Sequence, residues 1–99
     1  MKKIVLLCSA GMSTSLLVSK MKKAAEKENF ECSIQAFSST EVLEHLDADC
    51  ILLGPQIRFE LKKLKGLVKC PIDAIDMRHY GMVDGEKVLQ HAKALMEVE

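Results

Sequence analysis

Apolar positions along the 99-residue chain fall into two kinds of strand-like run and one helical pattern. Ile4-Val5-Leu6-Leu7 and Cys50-Ile51-Leu52-Leu53 are continuously apolar, as expected of strands covered on both faces. Cys32-Ser33-Ile34-Gln35-Ala36-Phe37 and Ile72-Asp73-Ala74-Ile75 alternate at period two, like strands with one partly wet face. Helical spacing takes over between them. Leu17, Met21, Ala24, Ala25 and Glu28 share a face, with Lys20, Lys22, Lys23 and Lys27 mostly on the other, in a helix that starts near Thr14 or Ser15 and ends near Asn29.

Ser38 and Glu41 form an S-x-x-E capping box for a short helix carrying Val42, Leu43 and Leu46, which Asp47-Ala48-Asp49 closes. Gly54-Pro55 opens a third helix with Ile57, Leu61, Leu64 and Val68 on one face and Lys62, Lys63 and Lys65 in solvent; Gly66 ends it, although Leu67 and Val68 continue the pattern. Asp76 to Val83 reads as a loop. Asp84 then caps a last helix whose inward positions are Val88, Leu89, Ala92, Leu95 and Met96.

Strands alternating with helices imply βαβ units, a parallel sheet and right-handed crossovers. The continuously apolar strands, one and three, belong in the centre and the alternating ones at the edges, which gives the order 2-1-3-4. Winding then reverses between strands one and three, and open α/β sheets bind ligands at such a switch point, beyond the carboxyl ends of the strands. Residues 1–99 read as one domain, without repeat, linker or low-complexity tract.

Composition narrows the function. Fourteen basic residues balance fourteen acidic ones, and with one Tyr and no Trp there is no support for a nucleic-acid partner held by a basic face and stacking aromatics. The 48% hydrophobic content is that of a globular protein, and no apolar run approaches the roughly 18 residues of a membrane span. The apolar run after Lys2-Lys3 is also shorter than the ~7 to 15 residues of a signal-peptide core. Cys8, Cys32, Cys50 and Cys70 are far apart with no C-x-x-C pair, which argues against zinc and thioredoxin chemistry and fits reduced thiols in the cytoplasm.

Chemistry concentrates where the first strand meets the first helix, in Cys8-Ser9-Ala10-Gly11-Met12-Ser13-Thr14-Ser15. Apart from Met12 the residues after Cys8 are small or hydroxylated, so backbone N–H groups can approach a ligand closely and Ser9, Ser13, Thr14 and Ser15 can orient around it. The start of a helix adds unpaired N–H groups and the positive end of its dipole. No acidic residue precedes Glu26. The field there favours an anion, whether a phosphoryl group or a thiolate. A buried structural Cys8 in a plain strand-helix turn is the bland alternative, and the grouping of Cys, Gly and four hydroxyl residues at this switch weighs against it. Cys32, Cys50 and Cys70 lack such surroundings and read as packed or semi-buried thiols.

Leu6-Leu7-Cys8-Ser9-Ala10-Gly11-Met12-Ser13-Thr14-Ser15-Leu16-Leu17-Val18 resembles the phosphorylation loop of enzyme IIB of the sugar phosphotransferase system, lactose/cellobiose/chitobiose family. Leu53-Gly54-Pro55-Gln56-Ile57 and Tyr80-Gly81-Met82-Val83-Asp84-Gly85 resemble the same family. The resemblance implies a cytoplasmic phosphotransferase component with the fold of low-molecular-weight tyrosine phosphatases. In it Cys8 takes phosphate from a histidine of enzyme IIA and passes it to a β-linked disaccharide, of the cellobiose, chitobiose or lactose class, held by the membrane component IIC. It implies a phosphate loop of Ser9, Ala10, Gly11, Met12, Ser13, Thr14 and Ser15, with no metal and no cofactor. The phosphatases themselves have Cys, five residues, Arg, then Ser or Thr, and here Thr14 stands where that Arg would be. Its absence argues against the alternative, a self-sufficient thiol phosphatase. A non-catalytic anion nest is a third reading.

Other polar residues carry weaker expectations. Asp76 is a loop residue that solvates or caps rather than a general acid; His45 and His91 lie on the surface of helices. Tyr80 is a partner contact or half-buried packing. Arg58, Arg78 and His79 have two readings, contact with phosphate or plain exposure to water.

Overall fold

The computed structural model describes residues 1–8 and 14–97. Its four strands, β1 (Lys2–Cys8), β2 (Cys32–Ser38), β3 (Cys50–Leu53) and β4 (Ile72–Ala74), form one sheet in the order β2-β1-β3-β4. All three pairings are parallel, with Leu6 opposite Ala36 and Leu52, and Leu52 opposite Asp73. The two continuously apolar strands are therefore central and the two alternating ones are edges, as the patterning requires.

The reason is visible in the side-chain alternation. Ile4, Leu6, Cys50 and Leu52 pack with Leu17, Met21, Val88, Leu89 and Ala92 on one face, beneath α1 (Thr14–Lys27) and α4 (Gly85–Leu95). Val5, Leu7, Ile51 and Leu53 pack on the other face with Val42, Ile57 and Leu64. A strand buried on both sides has no polar period to show. Each such Leu or Ile side chain contributes about 1.5–3 kcal/mol on burial, so the central pair of strands anchors everything attached to it.

The helix predicted from Gly54-Pro55 onward is instead two pieces. Pro55–Glu60 is a 3-10 helix broken at Ile57 (φ −120°, ψ 21°), and Leu61–Lys65 is a separate short helix, α2. Ile57 and Leu64 are buried, and Leu61 and Val68 are only partly so. The break lets Ile57 drop onto the sheet while Arg58 and Phe59 turn outward. The capping-box segment is likewise 3-10, Ser39–His45, with the reciprocal Ser38 and Glu41 bonds present. Of its expected apolar positions only Val42 is buried, and Leu43 and Leu46 face solvent.

The expected loop from Asp76 contains a further helix, α3 (Met77–Gly81). His91 is not a plain surface residue: its Nε2 lies 3.0 Å from Asp73 on β4. His45 stacks on Phe37 with ring centroids 3.7 Å apart. α1 and α4 are further tied by Glu28, which accepts from Gln90 at 3.0 Å and pairs with Lys93.

Candidate functional site

Because the sheet is parallel, all strand carboxyl ends share one edge. Cys8 ends β1 there, Gly54 follows β3, and Asp76 follows β4. Between β1 and β3 the winding reverses, the position at which open α/β sheets bind ligands beyond the strand carboxyl ends, and Cys8 stands there. Cys8 is only 4% exposed. Gly54 is its close neighbour, donating its N–H to the Leu7 carbonyl at 2.8 Å; a Cβ placed on Gly54 would stand 3.6 Å from that of Cys8. Gly54, the first of the three residues expected there, thus borders the cysteine, as the strand order implies.

The expected helix start is also in place. α1 begins at Thr14, so its first turn supplies N–H groups without intrahelical acceptors and the positive dipole end, with no acidic side chain in that turn. Thr14 is 1% exposed, and its Oγ1 is a buried oxygen with no hydrogen-bond partner among the described residues. An orphaned buried hydroxyl is costly and calls for a role, which a phosphoryl oxygen would satisfy. Ser15 is exposed at the same turn. Ser9, Ala10, Gly11, Met12 and Ser13, the rest of the expected phosphate loop, lie outside the described residues.

The other cysteines sit apart from this edge chemistry. Burial pushes the Cys50 thiol up to about 12, and burial also raises Cys32 and Cys70. Asp76 caps α3: its Oδ1 accepts from the N–H groups of Arg78 (2.8 Å) and His79 (3.2 Å). The His79 and Arg78 bonds hold its carboxyl below the usual 3.8, a cap's state and the opposite of what a general acid requires. Tyr80 is half-buried against the α1 and α4 core. Arg58, Arg78 and His79 line a cleft between the second 3-10 segment and α3. Sequence reasoning left their grouping open, since it depends on the kink at Ile57 and on α3, which are both too short for periodicity to reveal.

Among the described residues, no cluster of His, Cys, Asp or Glu is arranged to hold a metal ion, and no helix is long and apolar enough to cross a membrane.

The sheet order, the buried cysteine at the switch point and the helix start beyond it define a phosphatase-like α/β domain of the kind used for phosphoryl transfer. A sequence model of the lactose/cellobiose-specific IIB subunit of the phosphotransferase system matches residues 3–91. The chain is 45% identical over 100 residues to the oligo-beta-mannoside-specific EIIB component of Bacillus subtilis (strain 168), covering 97% of each chain. It is 44% identical over 104 residues to the cellobiose-specific EIIB component of Lactococcus lactis subsp. lactis (strain IL1403), covering 96% of each. The solution structure of the cellobiose-specific IIB component from Borrelia burgdorferi superposes with a TM-score of 0.81 at 41% identity, over 97% of this chain and 92% of that one. The chain belongs to the lactose/cellobiose IIB family of the sugar phosphotransferase system, and is a phosphotransferase component of sugar uptake.

Proposed function

We propose that the chain is a single cytoplasmic IIB domain that carries phosphate on Cys8. The Cys8 thiolate attacks the phosphohistidine of enzyme IIA in line; an S–P bond forms, the N–P bond breaks, and the histidine nitrogen leaves. The loop N–H groups from Ser9 to Ser15, with the hydroxyls of Ser9, Ser13, Thr14 and Ser15, hold the phosphoryl oxygens through the transition state. In the second step a hydroxyl of the sugar held by IIC attacks phosphorus, its proton is lost, and Cys8 leaves as thiolate. Splitting the transfer through a covalent intermediate lets the donor protein and the sugar never meet.

The observation that carries this reading is the placement of Cys8 at the carboxyl end of a central strand, at the winding reversal, with the orphaned buried hydroxyl of Thr14 at the helix start that follows. Thr14 is also what disfavours a hydrolase. A neutral hydroxyl stands where a phosphatase has a guanidinium, and a carrier must not lose its phosphate to water. The delivered sugar is a β-linked disaccharide of the cellobiose, chitobiose or lactose class. Relatives named for a mannoside and for cellobiose stand at 45% and 44% identity, so similarity selects no one sugar.

Incubation with phosphorylated IIA separates the possibilities. A carrier acquires label and retains it near neutral pH until membranes holding IIC and sugar are added. Release of label to water without acceptor identifies a phosphatase, and absence of labelling an anion nest.

A further inference from the structure

At the same end of the sheet as Cys8, a cleft of about 510 Å³ lies between the second 3-10 segment and α3, lined by Pro55, Arg58, Asp76, Met77, Arg78 and His79 among others. Its lining carries two guanidinium groups against a single carboxylate, that of Asp76, which offsets part of their charge. Among the described residues neither the Arg58 nor the Arg78 guanidinium has a hydrogen-bond or ion-pair partner. Asp76, the acidic residue in the cleft, accepts from the backbone of Arg78 and His79 through Oδ1 and attracts the Arg78 side chain, which leaves the Arg58 charge in excess. Glu60, the acidic residue nearest Arg58 in sequence, is turned to Ser39 at 3.4 Å. Bulky apolar side chains flank the two arginines. Phe59 is 78% exposed and Met77 62% exposed, so neither is spent on the core.

Bare Phe and Met beside unpaired Arg is the composition of a protein contact rather than of a small-anion pocket, which has no use for the apolar flanks. We propose that this cleft and its apolar flanks dock an acidic, partly apolar surface of the phosphate-donating IIA. The inference rests on the carrier reading, and charge selects the donor over the acceptor. In the donor step a phosphoryl group approaches a thiolate, two anions whose repulsion nearby cations offset; in the acceptor step the attacking sugar is neutral.

The test measures both half-reactions on Arg58→Glu/Arg78→Glu and on the milder Arg58→Gln/Arg78→Gln, which keeps the assay alive if charge reversal impairs folding. The charge-reversed chain loses about tenfold or more in kcat/KM for transfer from phosphorylated IIA at low salt, the neutral one about threefold, and both gaps shrink as salt rises. Transfer from phosphorylated Cys8 to sugar through IIC stays within about twofold. An unchanged donor step, or an equal fall in both steps, overturns the proposal. Inorganic phosphate that binds the native chain, fails to bind the Gln pair and competes with IIA would make the cleft a small-anion site instead. A native chain that takes no phosphate from IIA removes the carrier reading, and with it the donor as occupant.

Discussion

Gly54 packs directly beside Cys8: an added Cβ would meet the Cys8 Cβ at 3.6 Å and the Leu7 carbonyl oxygen at 3.7 Å in ordinary contact, and crowd Gln56 Oε1 at 3.1 Å. Gly54 has an ordinary φ of −58°, so what it provides is space rather than conformational freedom. Gly54→Ala needs only the flexible Gln56 side chain to move, and should fold and transfer phosphate nearly as the parent does. Gly54→Val pushes branches toward the nucleophile. It should slow phosphorylation of Cys8 by about tenfold to a hundredfold, as expected for a small misplacement of reacting groups, with thermal stability changed much less.

Thr14 should show stability and function pulling apart. Its buried hydroxyl has no partner among the described residues, which costs stability, and Val has nearly its shape. Thr14→Val should therefore raise unfolding free energy by about 1 kcal/mol in denaturant titration. It should also slow acceptance of phosphate from IIA, because the oxygen it loses is proposed to hold the phosphoryl group. A destabilised variant with unchanged transfer would refute both halves.

A second glycine is structural. A Cβ on Gly85, the first residue of α4, would stand 2.5 Å from the Lys20 backbone carbon and 2.6 Å from the Met21 nitrogen. Backbone cannot step aside as a side chain can, so Gly85→Ala must separate α4 from α1. The expected loss is about 1–3 kcal/mol, read as a lower Tm with calorimetry.

Cys50 sets an upper pH limit. Burial raises its thiol from 9.0 to about 12 in the folded chain, so above pH 9 the unfolded chain ionises this group while the folded one does not. Its contribution is fully present below pH 9 and is lost as pH rises toward 12. Native Cys50 should resist iodoacetamide at pH 8–9. The parent should lose stability between pH 8.5 and 10.5 more steeply than Cys50→Ala, measured by denaturant unfolding. Equal slopes would contradict the assignment.

What the sequence disclosed follows the length of the signal. Strands β1 and β3 are buried on both faces, so their unbroken apolar runs announced their central position and, with it, the switch point at Cys8. Ser38 and Glu41, or Asp84 with Lys87, act within three residues, and such local caps are readable directly. The i, i+4, i+7 spacing of Ile57, Leu61 and Leu64 imitated one helix because it records which side chains face the sheet, not the backbone break at Ile57. Five-residue α3 is too short for a period to appear, though Asp76 was a usable cap signal. His91 and Asp73 are 18 residues apart and meet only through packing of α4 on β4, which no local pattern contains.

The central claim is that phosphate travels on Cys8, and site mapping tests it most directly. After incubation with phosphoenolpyruvate, the general phosphotransferase proteins and IIA, mass spectrometry of the native chain should place one phosphoryl group on the peptide containing Cys8 and none on Cys8→Ser. A phosphohistidine at His45, His79 or His91, or full labelling of Cys8→Ser, would contradict it.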